Sequence, residues 1–339
     1  MNRNCWKIFR DFYVNPFAFL KRDSSSRSTK ILRASSRKLQ PESKFSAETE
    51  SKSDVNKFYF VQAADTQLGM MYHWGTNGIW PNRGTDGHPY PDSKWDMEIE
   101  LCKKSVDILN SLSPPPAFFI VCGDLVDAYG HQYPEIREKQ EFAFKEVYSN
   151  LNPGIPMICV CGNHDIGNSP TKESIDKYIT SFGDDYFSFY KNGCCFLVLN
   201  SQFYADASNC PNLYQFHERW LDEELQKANS LGVKHIFLFQ HIPWFIKNPD
   251  EENDFFNVEK DLRLRKLEQF REAGVKKIFC GHYHRNAGGF YKELEVVVTS
   301  AIGCQLGSDD HGMRIVKINE ESIEHEYLSL ENFPVNVRI

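Results

Sequence analysis

The sequence predicts an α/β protein in which two β-sheets pack face to face with helices outside. Three observations predict it. From Phe58 onward, short apolar runs alternate with longer stretches of helical periodicity, the pattern of strand–helix–strand units. The last third changes to short strand-like segments divided by Glu- and Gly-containing turns. Five of the apolar runs end directly in Asp, Asn or His, which gathers costly polar groups on loops at one sheet edge.

Taken in order, strands are expected at 58–63, 117–122, 157–161, 195–200, 235–239 and 277–280. Helices are expected between them at 94–112, 135–150, 172–181, 213–231 and 258–273. The first of these presents Met97, Leu101, Val106 and Leu109 close to helical spacing, and Pro114-Pro115-Pro116 stops it. Four consecutive hairpin-linked strands are expected at 289–291, 294–299, 314–318 and 322–328. There is no internal repeat.

Residues 1–57 read differently. They carry 13 Lys/Arg against 6 Asp/Glu, and 24–53 is rich in Ser, Lys and Arg, so a solvated, disordered tail is expected. The opening stretch holds Trp6, Ile8, Phe9, Phe12 and Tyr13, enough for a short amphipathic helix limited by Pro16. An Arg/Ser-rich start is also the composition of an organelle transit peptide; Asp11 and Asp23 argue against that reading. A catalytic body at 58–330 and a C-terminal tail at 331–339 complete the expected organisation.

Composition excludes several classes. The body beyond residue 57 carries 26 Lys/Arg and 40 Asp/Glu, which disfavours wide contact with nucleic acid and suits local concentration of cations. No run approaches the ~18 apolar residues of a membrane helix. Ten cysteines show no C-x-x-C pair, and several lie inside apolar runs, so buried free thiols and a reducing compartment, the cytoplasm, are expected. A monomer is expected.

The polar strand ends carry the chemistry. Asp65 follows Val61-Gln62-Ala63-Ala64, and Asp124 follows Ile120-Val121-Cys122-Gly123. One carboxylate can bridge two cations, although either Asp alone is equally a turn cap. Asn163 offers a neutral amide oxygen, and His164 beside it can supply or accept a proton. Gly281-His282-Tyr283-His284 is the most specific piece, because each imidazole can serve a different cation. His241 adds a third imidazole at a strand end. Carboxylates, an amide and imidazoles together suit Mn, Fe or Zn better than Mg or Ca. Two such cations about 3.5–4 Å apart can hold a bridging hydroxide and clamp a phosphoryl group for in-line attack.

These blocks, in this order, resemble the calcineurin-like metallophosphoesterase superfamily, whose pattern is D-x-H, G-D-x-x-D, G-N-H-[DE], a solitary His and G-H-x-H. The resemblance covers about residues 58–330. It implies a four-layer α/β/β/α sandwich and two divalent metal cations. It implies Asp65, Asp124 and His284 on the first metal, and Asp124, Asn163, His241 and His282 on the second. It implies His164 as general acid with Asp127 paired to it, and Asp165 as support. Gln67 stands where the pattern has His, and as a metal ligand its amide oxygen is a weaker donor. Further strings, 183–189, 199–204 and 300–307, narrow the resemblance to serine/threonine-protein phosphatases, with a phosphorylated protein as substrate. A phosphodiesterase or nucleotidase would use the same centre, and loss of turnover through Gln67 would leave a scaffold.

Substrate contacts are expected from Arg285 and Asn286, directly after the two His residues. The irregular stretch 72–92, Trp244 with Phe245, and the acidic run 250–254 are expected to rim a cleft.

Overall fold

The computed structural model describes residues 57–74 and 95–339. In chain order the first half holds β1 (Phe58–Ala63), α1 (Met70–Trp74), α2 (Asp96–Ser111), β2 (Phe119–Cys122), α3 (Pro134–Tyr148), β3 (Met157–Val160), α4 (Asn163–Ile166) and α5 (Lys172–Phe182). Next come β4 (Phe187–Lys191), β5 (Cys194–Val198), α6 (Gln202–Ala205), α7 (Pro211–Leu231), β6 (His235–Phe239), α8 (Lys260–Glu272) and β7 (Val275–Cys280). The chain closes with β8 (Ala287–Tyr291), β9 (Leu294–Val298), β10 (Gly312–Ile318) and β11 (Ile323–Ser329).

Two mixed sheets result, ordered β11-β10-β1-β2-β3 and β4-β5-β6-β7-β9-β8. In the first, β1, β2 and β3 are parallel, and β10 and β11 add on antiparallel. In the second, β5, β6, β7 and β9 are parallel between antiparallel edges. The inner strands are buried on both faces, which is why they read as unbroken apolar runs rather than alternating ones.

Period-two alternation sorts the side chains into layers. Phe60, Phe118, Ile120, Phe196, Phe237, Phe239 and Phe279 fill the space between the sheets. Tyr59, Val61, Phe119 and Val121 face the other way, onto α2, α3 and α5. Cys195, Leu197, Ile236 and Leu238 pack with α7 and α8 on the far side. The layers are therefore helix, sheet, sheet, helix. The inter-sheet layer is aromatic: Phe60 stacks on Phe118 at 4.6 Å and meets Phe239 and Phe279 edge-on at 5.6 and 5.7 Å.

Most expected elements are present with ends moved by a few residues; the short helices α1, α4 and α6 are additional, and several expectations change. The last four strands are two separate hairpins on different sheets, because residues 299–311 cross the sheet edge before β10 pairs with β1. β4 was not expected; it is a short, mostly half-buried edge strand of five residues, FSFYK. On α2 the inward face carries Glu98, Cys102, Ser105, Val106 and Leu109, while Met97 is 51% exposed. Glu98 turns inward because the backbone N–H groups of Gly69 and Met71 need an acceptor, at 3.2 and 2.7 Å. Trp244 and Phe245 are fully buried and form no rim; Trp244 packs on Tyr204 and Phe270.

The final residues lie against the body. Ser113 N–H donates to the Val335 carbonyl at 2.8 Å, Val337 N–H donates to the Ser113 carbonyl at 2.9 Å, and Val337 is buried. All but Lys57 of the expected tail at 1–57, and most of the expected rim at 72–92, fall outside the described residues.

Candidate metal centre

The C-terminal ends of β1, β2, β3, β6 and β7 meet at one edge of the sandwich. The loops that leave them are tied together by backbone bonds: Asp65 N–H to the Gly123 carbonyl, Gln67 N–H to Asp124, and Gly281 N–H to His241, at 3.1, 2.9 and 3.0 Å. Glycine is required where they approach most closely. A Cβ on Gly123 would collide with the His241 ring, and one on Gly162 would collide with the Asp124 carboxylate. The loops are also strained. Of seven described non-glycine residues with left-handed φ, five are Asp65, Gln67, Asp124, His282 and His284. Such positions cost on the order of 1–3 kcal/mol each and persist where the surroundings fix them.

The structure brings together the residues the sequence singled out. Asp124 lies at the centre, completely buried. Its Oδ1 accepts the His164 N–H at 2.8 Å, and its Oδ2 is 3.2 Å from His241 Nε2. His241 Nε2 is also 3.0 Å from Asn163 Oδ1 and 3.1 Å from His282 Nδ1. Asp65 Oδ1 is 3.5 Å from His284 Nε2 and 3.8 Å from His241 Nδ1, and both Asp65 oxygens accept the His282 N–H. Two groups able to hold a metal ion follow, Asp124/His241/His282 and Asp65/Asp124/His284, and Asp124 belongs to both.

The tautomers follow from the outer nitrogens. His241 Nδ1 donates to the Cys122 carbonyl, His282 Nε2 to Phe255, and His284 Nδ1 to Cys304. In the neutral tautomers the inner nitrogens therefore present lone pairs, the arrangement in which imidazole binds metals. At the heart of the site, His241 Nε2, His282 Nδ1, Asn163 Oδ1 and an Asp124 oxygen are all acceptors in mutual contact. Acceptors repel unless positive charge lies between them, so this donor set fits a cation. Titration agrees for two of the three imidazoles: burial lowers His282 to about 3 and His284 to about 4, which keeps both neutral. His241 differs, because Asp124 and Asp65 outweigh its burial and push it up to about 9, so its Nε2 serves a metal only when the cation takes the place of the proton. Asp65 is raised by burial, while Asp124 is held low against its own burial by His241 and His164.

His164 sits at the edge. Its Nδ1 lies 2.6 Å from the Asp127 carbonyl and 3.3 Å from Asp127 Oδ1. Gln67 Nε2 donates to the same carboxylate at 2.9 Å, while Gln67 Oε1 is buried with no hydrogen-bond partner. Asp165 is a brace: its carboxylate receives the Leu125 and Gly162 N–H groups. Arg285 and Asn286 do not join the cluster. Arg285 bonds to the Leu306 carbonyl and lies over the Tyr283 ring, and the Asn286 oxygen accepts from Arg314 at 2.9 Å.

Two residues escaped the sequence reading. Tyr129 stacks on His164 and bonds Asn163; no pattern marks it. Arg137 donates to the His164 carbonyl at 2.7 Å and lies 3.6 Å from Asp165. Its signal was present, since a charged residue shares the buried stripe of α3 with Gln140, Phe144 and Val147. A cavity of about 380 Å³ opens beside His282, lined by Gln202, Asp206, Asp254 and Phe255 among others. Another cavity, of about 710 Å³, lies against α2 and touches none of these residues.

Against known proteins, residues 60–286 match the calcineurin-like phosphoesterase family. The chain belongs to that family. Among its relatives, the serine/threonine-protein phosphatase CPPED1 of Danio rerio is 45% identical over 284 residues, 84% of this chain and 88% of the relative. The protein of the same name from Bos taurus is 47% identical over 275 residues, 81% and 84% of the two chains. Two solved structures share the fold at 12% identity. They are GAP50, the anchor in the inner membrane complex of Plasmodium (TM-score 0.54, 82% of this chain and 86% of that one), and a dimetal phosphatase from Danio rerio (TM-score 0.53, 80% and 99%). No helix among the described residues is long and apolar enough to cross a membrane.

Proposed function

We propose that residues 58–330 form a dimetal phosphomonoesterase that removes phosphate from serine and threonine side chains of proteins. The observation that carries it is the pair of acceptor groups sharing Asp124. Asp65, Asp124 and His284 would hold one divalent cation, with the unpartnered Gln67 oxygen as a further donor. Asp124, Asn163, His241 and His282 would hold the other. The mixed oxygen and nitrogen set favours Mn, Fe or Zn. When bound, the two cations supply Lewis-acid charge against the phosphoryl oxygens and make a water acidic enough to attack at neutral pH.

The protein's own residues do the rest. Asp127 and its carbonyl hold His164 Nδ1, which leaves Nε2 as the nitrogen for the substrate. As the P–O bond breaks, His164 Nε2–H gives its proton to the departing serine or threonine oxygen. Gln67 fixes Asp127 from the other side. The products are the free hydroxyl and inorganic phosphate. The protein substrate is supported by the activity named for the relatives. Nine buried cysteines among the described residues, none of them in a disulfide, support a reducing compartment such as the cytoplasm.

The test is elemental analysis of purified protein with an activity panel of phosphoserine and phosphothreonine peptides, nucleotides and bis-aryl phosphates. The expected result is two transition-metal equivalents and preference for the peptides, lost on chelation. Turnover confined to diesters or nucleotides would replace the substrate assignment; no turnover with at most one bound metal would remove the enzyme reading.

A further inference from the structure

Tyr129 lies two residues beyond Asp127, in the loop after β2, and touches both a proposed metal ligand, Asn163, and the proposed acid, His164. Its ring stacks on the His164 imidazole with centroids 4.4 Å apart and planes 29° apart. Its hydroxyl accepts hydrogen bonds from Asn163 Nδ2 at 3.1 Å and from Asn168 Nδ2 at 3.3 Å. The loop is fixed in turn, because the Tyr129 carbonyl receives the N–H groups of Gln132 and Tyr133 at 3.0 and 2.9 Å.

Each contact controls something the other neighbours leave free. The Asn163 amide has two ends. The inner oxygen is 3.0 Å from His241 Nε2, and the outer nitrogen is held by the Tyr129 hydroxyl. An amide anchored at its outer end cannot swing its oxygen away from the cation position. The His164 backbone is clamped by Asp124 on its N–H and by Arg137 on its carbonyl, and Asp127 holds one ring nitrogen. A single hydrogen-bonded edge still lets a ring rock about that bond. The stacked phenol ring limits the rocking and so aims Nε2.

We propose that Tyr129 is a positioning residue with two separable tasks: its hydroxyl aims the Asn163 amide, and its ring aims the His164 imidazole. This rests on the roles assigned above to Asn163 and His164. Partners that orient a metal ligand typically alter metal affinity or activity about 10–100-fold when removed. A misaimed proton donor hurts poor leaving groups and spares good ones.

The two tasks predict different behaviour for Tyr129→Phe and Tyr129→Leu. Mn titration calorimetry of the metal-free protein gives two dissociation constants. The ratio of kcat on 4-nitrophenyl phosphate to kcat on a phosphoserine peptide, at saturating Mn, gives the leaving-group dependence. Tyr129→Phe, which keeps the ring, should weaken about tenfold the Mn site that Asn163→Ala weakens and leave the ratio unchanged. Tyr129→Leu should weaken that site equally and widen the ratio about tenfold or more. Unchanged Mn constants in Tyr129→Phe, or an unchanged ratio in Tyr129→Leu, would overturn the proposal. Asn163→Ala and His164→Ala are the references. If Asn163→Ala leaves both Mn constants intact, or His164→Ala leaves the ratio intact, the underlying assignment has failed and the Tyr129 proposal falls with it. Urea unfolding checks that every variant is folded, and Tyr129→Met replaces Tyr129→Leu if that variant is not.

Discussion

Asp124 is the residue on which the site turns, since its two oxygens reach toward both groups of donors. Asp124→Asn keeps the shape and removes the charge. It should drop bound metal below two equivalents and cut turnover more than about 100-fold, read by elemental analysis and peptide assay. His164→Ala separates binding from chemistry: metal content should stay at the parent level while kcat on a phosphoserine peptide falls on the order of 10²–10⁴-fold. Gln67 differs from the pattern the rest of the centre follows, and its geometry gives it a task in either case, through the 2.9 Å bond to Asp127. Gln67→Ala should therefore lower kcat about tenfold on poor leaving groups, with a smaller effect on 4-nitrophenyl phosphate. An equal loss on both substrates would assign Gln67 to the metal alone. At this scale the Asp, Asn and His positions were legible because each ends an apolar run. Tyr129 was not, because its value lies in what it stacks on.

Elements deliver these residues through the aromatic layer between the sheets. Phe60 on β1 touches Phe118, Phe196, Phe237, Phe239 and Phe279, which belong to both sheets or their flanks. Phe60→Ala should destabilise the protein by about 3–5 kcal/mol in urea unfolding, the usual cost of emptying such a site. A loss below about 1 kcal/mol would mean that the layer collapses around the gap. The parallel strands were legible from their apolar runs, and α7 from its periodicity. The partnership of β10 with β1 was not, because antiparallel pairing across 250 residues leaves no local mark. That pairing matters to the site: the crossing segment before β10 supplies the Cys304 carbonyl that orients His284 and bonds the Ala64 and Asp65 carbonyls through Ile302 and Gly303.

For the whole molecule, stability should depend on pH through Glu98. Burial raises its carboxyl to about 7, against the help of the Met71 and Gly69 N–H groups. A carboxyl raised in the folded state stabilises most when protonated, below about pH 4.5, and that contribution is lost as pH rises through about 7. Glu98→Gln removes the titration, so the difference in unfolding free energy between pH 5 and pH 8 should shrink by on the order of 1–3 kcal/mol relative to the parent. An identical pH dependence in both proteins would show that Glu98 is solvated. By itself the sequence determined the layered α/β class, most strands and helices, and the identity of the polar residues at their ends. It could do so because burial writes a local apolar pattern and because few residue types serve metal chemistry. Only the tertiary structure decided which lone pairs face one another, which carbonyls fix each imidazole, and which phenol lies over His164. Those are properties of distances between loops far apart in the chain, and a distance of 3 Å leaves no trace in local composition.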